Sequence, residues 1–247
     1  MSTQYFKNFD IVNYRFGDNE PPVYFNNLTQ YVDLVDQIKD NASFYNKYTI
    51  VSGERPDTLS YELYESVEHY WTFFLLNDHI RESGWPIADH ELGDYAKQRW
   101  PHRVTTTQYD FAKLFPVGAI VDGQTSGTTG TIIKRNLDLG QLIIDTVDNN
   151  NFGDNELIEY FEEDGSRVTM RLVAETEQYN AVHHYENSNG EYTDIDPHDN
   201  ATPNGLIPIT NHDRLKIRNE QLKEIIVLKP DALTSVTSEF NKLMKTR

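Results

Sequence analysis

The stretch YTIVSGERPDTLSYELYESVEHYWTFFLLN, residues 48–77, carries the strongest structural signals in this chain. It begins inside a β-branched and aromatic run over 45–51, which predicts a strand that enters a turn at Ser52 and Gly53. Two apolar stripes with helical spacing follow, and the stretch ends on Asn77. The first prediction is therefore a unit with the order strand, helix, helix.

Two polar side chains are expected to begin these helices. Asp57, just after Pro56, is placed to accept a hydrogen bond from the amide of Ser60, and Ser66 is placed to cap the second helix. The first stripe comprises Leu59, Leu63 and Tyr64, and the second comprises Val67, Tyr70, Trp71, Phe74 and Leu75. We expect the second stripe to face a core, because burying each large apolar side chain stabilises by about 1.5 to 3 kcal/mol.

Composition narrows the classes of function. The 247 residues include 39 acidic and 22 basic ones, a formal net charge of −17, so nucleic acid is not expected as a partner. The chain has no Cys, which excludes disulfides, thiolate zinc sites and a cysteine nucleophile. MSTQYFKNFD does not resemble a signal peptide, and no apolar run approaches the ~20 residues of a membrane span. We expect synthesis in the cytoplasm and no membrane partner.

The first part of the chain is rich in aromatic residues and helical spacing. Residues 1–44 are predicted to form an N-terminal arm and a helix, since apolar residues recur at helical spacing over 28–38. Residues 45–102 hold the strand, helix, helix unit.

The rest of the chain changes character twice. Residues 103–205 carry short β-branched runs such as GAIVDG, TGTIIKR and GQLIIDTV between turn residues, a pattern typical of hairpins. Residues 206–247 return to one apolar strand over 222–229, then Pro230 and an amphipathic helix. The predicted fold class is α+β: the two ends form one discontinuous core, and the β-rich module is an insert.

Three motifs suggest chemistry, and none supports an assignment. TSGTTGT at 125–131 is similar to a phosphate-binding loop of acyl-adenylating enzymes, but a strand follows it, so we expect a β-turn. DNNNFGDNELIE at 148–159 has an aromatic residue where a calcium loop needs an oxygen ligand. His183 and His184 would point to opposite faces of a strand, and the Asp cluster at 194–199 lies in a loop rich in Pro, Asn and Gly, where solvated carboxylates are usual. No catalytic, cofactor-binding or metal-binding residue is assigned, and an enzyme is not expected.

The stretch 48–77 resembles the LysM pattern, in which a strand leads to a Gly-Asp-Thr-Leu turn, two helices and a terminal Asn. Pro56 stands where LysM modules have Gly, and a closing segment with its Pro-Gly turn is not evident after Asn77. LysM modules bind N-acetyl sugars through the turn before the first helix and the loop after the second, here 53–58 and 77–80. The resemblance implies one possible function, binding of peptidoglycan.

Longer segments resemble the baseplate wedge subunit of contractile-tailed phages of the T-even type, which carries a LysM-like domain. The similar segments are YFKNFDIVNYRFG at 5–17, GERPDTLSYELYESVEHYWTFFLLND at 53–78, GWPIADHELGDYAKQRW at 84–100 and NEQLKEIIVLKPDALTSVTSEFNKLMK at 219–245. This resemblance implies a structural virion protein in the tail baseplate, assembled in the host cytoplasm. It would join neighbouring wedges around the tail hub and contact other wedge and hub proteins, in several copies per virion. Peptidoglycan binding is the alternative.

Candidate interface residues follow from this implied role. Tyr5, Phe6 and Phe9 form an aromatic cluster at a terminus, which orders either against a partner or against its own domain. The other candidates are Arg55, Pro56, Tyr61, Tyr64, Tyr70, Asn77, Trp85 and Pro86. Pro56 stiffens the turn, and the tyrosines supply the amphipathic contact area that is enriched at interfaces.

Overall fold

The computed structural model describes residues 11–18, 20–26, 43–107, 112, 114–153, 155–195 and 205–245. The helix predicted over 28–38 and the residues Tyr5, Phe6 and Phe9 lie outside these ranges. Within them the chain mixes helices with several sheets, which is compatible with the predicted α+β class. The chain divides into two compact units, Met1–Asp89 with Asn219–Arg247, and His90–Arg218. The predicted domain boundaries after residues 44, 102 and 205 stay predictions.

The described strands are, in chain order, β1 Ile11–Tyr14, β2 Val23–Asn26, β3 Tyr45–Thr49, β4 Arg103–Thr106, β5 Ile120–Gly123, β6 Thr129–Asn136, β7 Gln141–Thr146, β8 Leu157–Phe161, β9 Arg167–Arg171, β10 Ala174–Glu177, β11 Val182–Glu186, β12 Tyr192–Thr193, β13 Ile207–Thr210 and β14 Glu224–Leu228. The described α-helices are α1 Pro56–Tyr64, α2 Trp71–Leu76, α3 Asp78–Ser83, α4 Leu92–Arg99, α5 Asn211–Lys223 and α6 Pro230–Lys245. One turn of 3-10 helix, Val67–His69, lies between α1 and α2.

The first unit is built on an antiparallel pair of distant strands. β14 pairs with β3 in the register Glu224↔Thr49 to Leu228↔Tyr45, so the predicted docking of the C-terminal strand on the N-terminal region is confirmed. One core cluster consists of Ile50, Leu59, Phe73, Ile80, Ile225 and Val227, and a second consists of Leu76, Leu228, Leu233 and Val236. The predicted apolar face of the last helix is confirmed by the burial of Leu233, Val236 and Phe240.

Two predictions about where elements of this unit begin are wrong. The helix α1 begins after Arg55 with Pro56 in its first turn, and Asp57 accepts from the Arg55 guanidinium instead of capping the helix. Proline at this position already fixes a helical backbone angle and lacks the amide that a cap would satisfy. The strand predicted from 222 begins only at Glu224, because α5 continues to Lys223.

The face predicted for the second helix is also displaced. Ser66 does cap, since its hydroxyl accepts from the amide of Glu68, but the segment that follows is a 3-10 turn. The tighter turn rotates the next residues, so the buried residues of α2 are Thr72, Phe73 and Leu76. The residues of the predicted face, Val67, Tyr70, Trp71, Phe74 and Leu75, are exposed or half-buried.

The second unit is mainly antiparallel sheet. Seven strands lie in the order β10-β4-β7-β6-β5-β8-β9, and three more in the order β12-β11-β13. TSGTTGT lies at the connection from β5 to β6, which pair as antiparallel neighbours, so the predicted β-turn is confirmed. The core of this unit includes Phe115, Val121, Ile132, Leu142, Ile144, Phe152, Ile158 and Met170.

Candidate docking surfaces

The β1–β2 hairpin exposes an apolar face. Val12 pairs with Phe25 and Tyr14 pairs with Val23, so these four side chains lie on the same face of the two-stranded sheet. Their residues are 40 to 58% exposed. Phe16 is more exposed still, and its ring lies edge-on to those of Tyr14 and Phe25 at 5.2 and 6.1 Å between centroids. Five apolar side chains therefore form one continuous solvent-facing surface, which we call the hairpin face.

This hairpin is not among the predicted elements, although the sequence carries a signal for it. IVNY and VYFN are short runs of β-branched and aromatic residues, separated by Gly, Asp, Asn and two Pro. The prediction for this segment is an N-terminal arm. These runs do not alternate between polar and apolar residues, because both faces of the hairpin carry apolar side chains. Ile11 and Tyr24 lie on the face that is opposite to the hairpin face.

The turn before α1 satisfies its polar groups internally. The Glu54 carboxylate accepts from the Tyr48 hydroxyl at 2.8 Å and from the amide of Val51 at 3.0 Å. Its backbone carbonyl accepts from the indole of Trp85 at 2.6 Å. Burial, together with the hydrogen bond to Glu54, raises the pKa of Tyr48 to about 12, so this hydroxyl stays protonated and donates. The Arg55 guanidinium is exposed and donates twice to Asp57.

The Asn77 side chain forms hydrogen bonds with the edge of β14 that does not pair with β3. Its side-chain oxygen accepts from the amide of Ile226 at 2.8 Å, and its side-chain nitrogen donates to the carbonyl of Ile226 at 2.9 Å. The same nitrogen donates to the carbonyl of Phe73 at 2.8 Å. Asn77 is 5% exposed. One amide side chain thus takes the place that a neighbouring strand would have beside β14.

The other candidate interface residues differ in exposure. Tyr61 is 61% exposed and Tyr70 is 37% exposed, whereas Pro56, Trp85 and Pro86 are half-buried. Tyr64 is half-buried, and its hydroxyl donates to the carbonyl of Leu228, while burial raises its pKa to about 12. An interface role for the described candidates stays a prediction, as it does for Tyr5, Phe6 and Phe9.

A cleft of ≈ 660 Å³ lies beside the junction of α2 and α3. Its walls include Asn77, Asp78 and His79, and the other lining residues belong to α2, β3 and β14. The prediction of a loop over 77–80 is wrong, because α3 begins at Asp78. The Asn77 amide is bonded to Ile226 and Phe73, and the Asp78 carboxylate pairs with the Arg81 guanidinium at 2.8 Å.

The loop motifs of the second unit are tied to each other by Glu156. One carboxylate oxygen accepts from the amides of Thr125 and Ser126, and the other accepts from the amide of Gly153, each at 2.5 Å. Burial would raise the pKa of Glu156, but the hydrogen bonds from these amides lower it below its usual value. The motifs that resemble a nucleotide loop and a calcium loop are therefore joined by an internal carboxylate.

No protein-family model matches this chain, and a search of curated proteins also finds no match. Among the residues described by the structure, no group of three or more His, Cys, Asp or Glu side chains is arranged to hold a metal ion. In the same part of the chain, every helix is too short or too polar to cross a membrane.

Proposed function

We propose that this chain is a structural protein of a phage tail baseplate, which joins neighbouring wedges around the tail hub by binding other wedge and hub proteins. The proposal begins from the resemblance of 5–17, 53–78, 84–100 and 219–245 to the wedge subunit of T-even type phages. It includes the proposals that the protein resides in the virion and is not an enzyme, that residues 45–102 form a LysM-like domain, and that residues 103–205 form an inserted β-rich module.

The observation that carries the docking role is the hairpin face. An isolated two-stranded hairpin is marginally stable in water, and contiguous exposed apolar side chains are typical of protein-binding surfaces. The hairpin follows the aromatic residues Tyr5, Phe6 and Phe9 in the sequence, so the N-terminal segment concentrates apolar contact area. Among the described strands, none pairs with the outer edge of β1 or of β2, and another strand can add to such an edge.

The polar groups of the first unit favour a protein partner over a sugar. A sugar site needs donors and acceptors that point into a groove. In the turn at 53–58 the Glu54 carboxylate is bonded to Tyr48 and Val51, and Arg55 is paired with Asp57. Between α2 and α3 the Asn77 amide is bonded to the main chain. Arg55 and Tyr61 remain exposed, and Arg and Tyr are enriched at protein interfaces.

Peptidoglycan binding is the second candidate, and the cleft beside Asn77 favours it. The cleft is within the size range of small-ligand sites, about 300–1,000 Å³, and is lined in part by the segment after α2 that LysM modules use. His79 would then be a sugar-binding residue. Its exchange for Ala would weaken retention on peptidoglycan without affecting a complex formed through the hairpin face.

Co-expression with baseplate wedge and hub proteins, followed by affinity purification, tests the docking role. We expect a stable complex that is lost in the double variant Tyr14→Ser, Phe25→Ser and retained in Asn13→Ser, which changes the opposite face of the hairpin. Circular dichroism should show the same fold in both variants. In parallel, the protein is sedimented with purified peptidoglycan. Saturable retention that chito-oligosaccharide competes away, without any complex among the tail proteins, would replace the structural proposal by the sugar-binding one.

A further inference from the structure

Four polar side chains of the second unit form a continuous row of hydrogen bonds. Arg214 Nη1 lies 2.8 Å from His183 Nε2, and His183 Nδ1 lies 3.0 Å from His184 Nδ1. His184 Nε2 lies 3.0 Å from a carboxylate oxygen of Glu186. The row therefore runs from a permanent cation on α5 to a carboxylate on β11 through two imidazole rings.

Two consecutive histidines meet because the strand is irregular at this point. Successive side chains of a regular strand point to opposite faces, and this was expected for His183 and His184. That expectation is wrong: the pairing of β11 with β13 shifts register between Val182 and His184. A bulge takes the intervening residue out of alternation and turns its side chain. The two rings consequently lie edge-to-face with centroids 5.1 Å apart.

The two ends of the row fix the position of every proton within it. Arginine only donates, so His183 Nε2 must accept and its proton must lie on Nδ1. His184 Nδ1 then accepts that proton in a hydrogen bond, and His184 carries its own proton on Nε2, which donates to Glu186. Each of the three links holds one proton when both histidines are neutral. A further proton on either ring puts two protons into one link and breaks it.

Charged groups of opposite sign lie near the two histidines of the row. Burial lowers the pKa of His183, and the positive charges of Arg214 and Lys134 add to this effect, as does His184. On the other side, the ring of Tyr192 stacks on His184 with centroids 5.1 Å apart. The residues that line a cleft of ≈ 220 Å³ next to His184 include Asp138, Asp194, Tyr185 and Tyr192. The cationic groups thus face His183, and the acidic groups face His184.

We propose that this row is an acid-sensitive latch that holds the first turn of α5 to β11 when both histidines are neutral and opens when His183 is protonated. Protonation of His183 at Nε2 places a second proton between that nitrogen and the Arg214 guanidinium. The link between α5 and β11 is therefore lost.

Opening is local because other bonds between the same segments do not titrate. The amide of Asn211 donates to the carbonyl of Ala181 at 3.1 Å, and its side chain donates to the carbonyl of Gln178 at 2.7 Å. These bonds keep the start of α5 near β11 when the row opens. The expected response is a rise in local fluctuation of β11 and the first turn of α5, with the seven-stranded sheet unchanged.

The pH dependence has a definite sign. The unfolded chain takes up a proton at His183 near its usual pKa of about 6.5, whereas the folded chain takes it up only at lower pH. Between these two values the unfolded state binds more protons, so stability falls as pH falls. The latch is therefore fully closed above the unfolded value and is lost as pH drops through the folded value.

Nitrogen-15 NMR of the intact protein tests the proton positions directly. At about pH 8 we expect His183 in the Nδ1–H form, the minor form of imidazole in water, and His184 in the Nε2–H form. Finding His183 in the Nε2–H form would overturn the proposal.

Hydrogen exchange tests the opening. Amides of β11 and of the first turn of α5 should lose protection about tenfold between about pH 8 and about pH 5, after correction for intrinsic exchange. In Arg214→Met this pH dependence should disappear, and His183 should shift toward the Nε2–H form. Lys216→Met, an exposed cation on the same helix that faces His212 instead, should retain it. Unchanged protection in the wild-type protein over this pH range, or equal effects of the two variants, would contradict the latch.

Discussion

The amide of Asn77 gives the sharpest test of how the first unit is held together, because aspartate has nearly the same shape and lacks the donor. In Asn77→Asp the carboxylate still accepts from the amide of Ile226, but it faces the carbonyl oxygens of Ile226 and Phe73 that now have no side-chain donor. Leaving a buried polar group unsatisfied costs about 1–3 kcal/mol, and an unpaired charge costs more. We expect a loss of about 3–5 kcal/mol at pH 7.

The loss in this variant should depend on pH. A carboxyl that faces two carbonyl oxygens has a folded-state pKa above its unfolded value of about 3.9. Between those two values the folded variant binds more protons than its unfolded chain, so its stability rises as pH falls. Once protonated, the carboxyl donates to the carbonyl of Ile226. For a pKa shift of about 1.5, the deficit relative to the wild type should therefore shrink by about 1.5 kcal/mol between pH 7 and pH 4.

Two further variants separate this mechanism from alternatives. Asn77→Ala loses all three side-chain hydrogen bonds and should cost about 2–4 kcal/mol with a deficit that does not change with pH. Asn46→Asp makes the same chemical change at an exposed position of β3 and should cost less than about 0.5 kcal/mol. Urea unfolding followed by tryptophan fluorescence measures all three, since Trp71 and Trp85 lie in this unit. If Asn77→Asp is as stable as the wild type at pH 7, or if its deficit does not change with pH, Asn77 does not stabilise the unit through its hydrogen bonds to β14.

Three other changes have defined outcomes. Glu156→Gln places an amide group against three backbone donors and should destabilise the second unit by about 2–4 kcal/mol. The stability that the Glu156 carboxylate contributes should be lost from the wild type as pH falls below about 4.3, whereas the stability of the variant should not change in this range. Gly130→Ala should lower stability by about 1–3 kcal/mol, measured by thermal unfolding, because the added Cβ would lie 2.9 Å from a carbonyl oxygen of β7. The control is Gly93→Ala within α4, where the added Cβ meets open space, and it should raise stability by about 0.5–1 kcal/mol. Trp71→Ala should cost about 2–3 kcal/mol, less than a fully buried Trp would, since its half-buried ring lies 5.0 Å from that of Phe240.

Local signals in the sequence predicted the elements whose partners are nearby. The turns between β5, β6 and β7 follow from Gly and Thr next to β-branched runs, and the last helix follows from the spacing of Leu233, Val236 and Phe240. The spacing of apolar residues does not predict which face of α2 is buried. Apolar residues occupy nearly every position from Trp71 to Leu76, so periodicity does not choose one face, and the preceding 3-10 turn decides it.

The candidate site was predicted less well, because its geometry depends on long-range pairing. Asn77 was assigned to an interface, but its amide is bonded to β14, about 150 residues away in the sequence. Glu54 and Trp85 meet only because the turn before α1 folds against the segment after α3. The contact between His183 and His184 requires a bulge that depends on the register between β11 and β13. Each of these features involves a partner that local sequence does not identify.

The first unit also explains how its core tolerates a long intervening segment. Pairing β3 with β14 closes a loop that contains the whole second unit, His90–Arg218. Loop-closure entropy grows only with the logarithm of length, so lengthening a loop from about ten to about a hundred residues costs about 2 kcal/mol. The buried residues contributed by β14, Ile225, Val227 and Leu228, each supply about 1.5–3 kcal/mol on burial, which exceeds that cost. The distant strand is thus retained by its own apolar side chains, and Asn77 supplies the bonds on the edge that β3 does not cover.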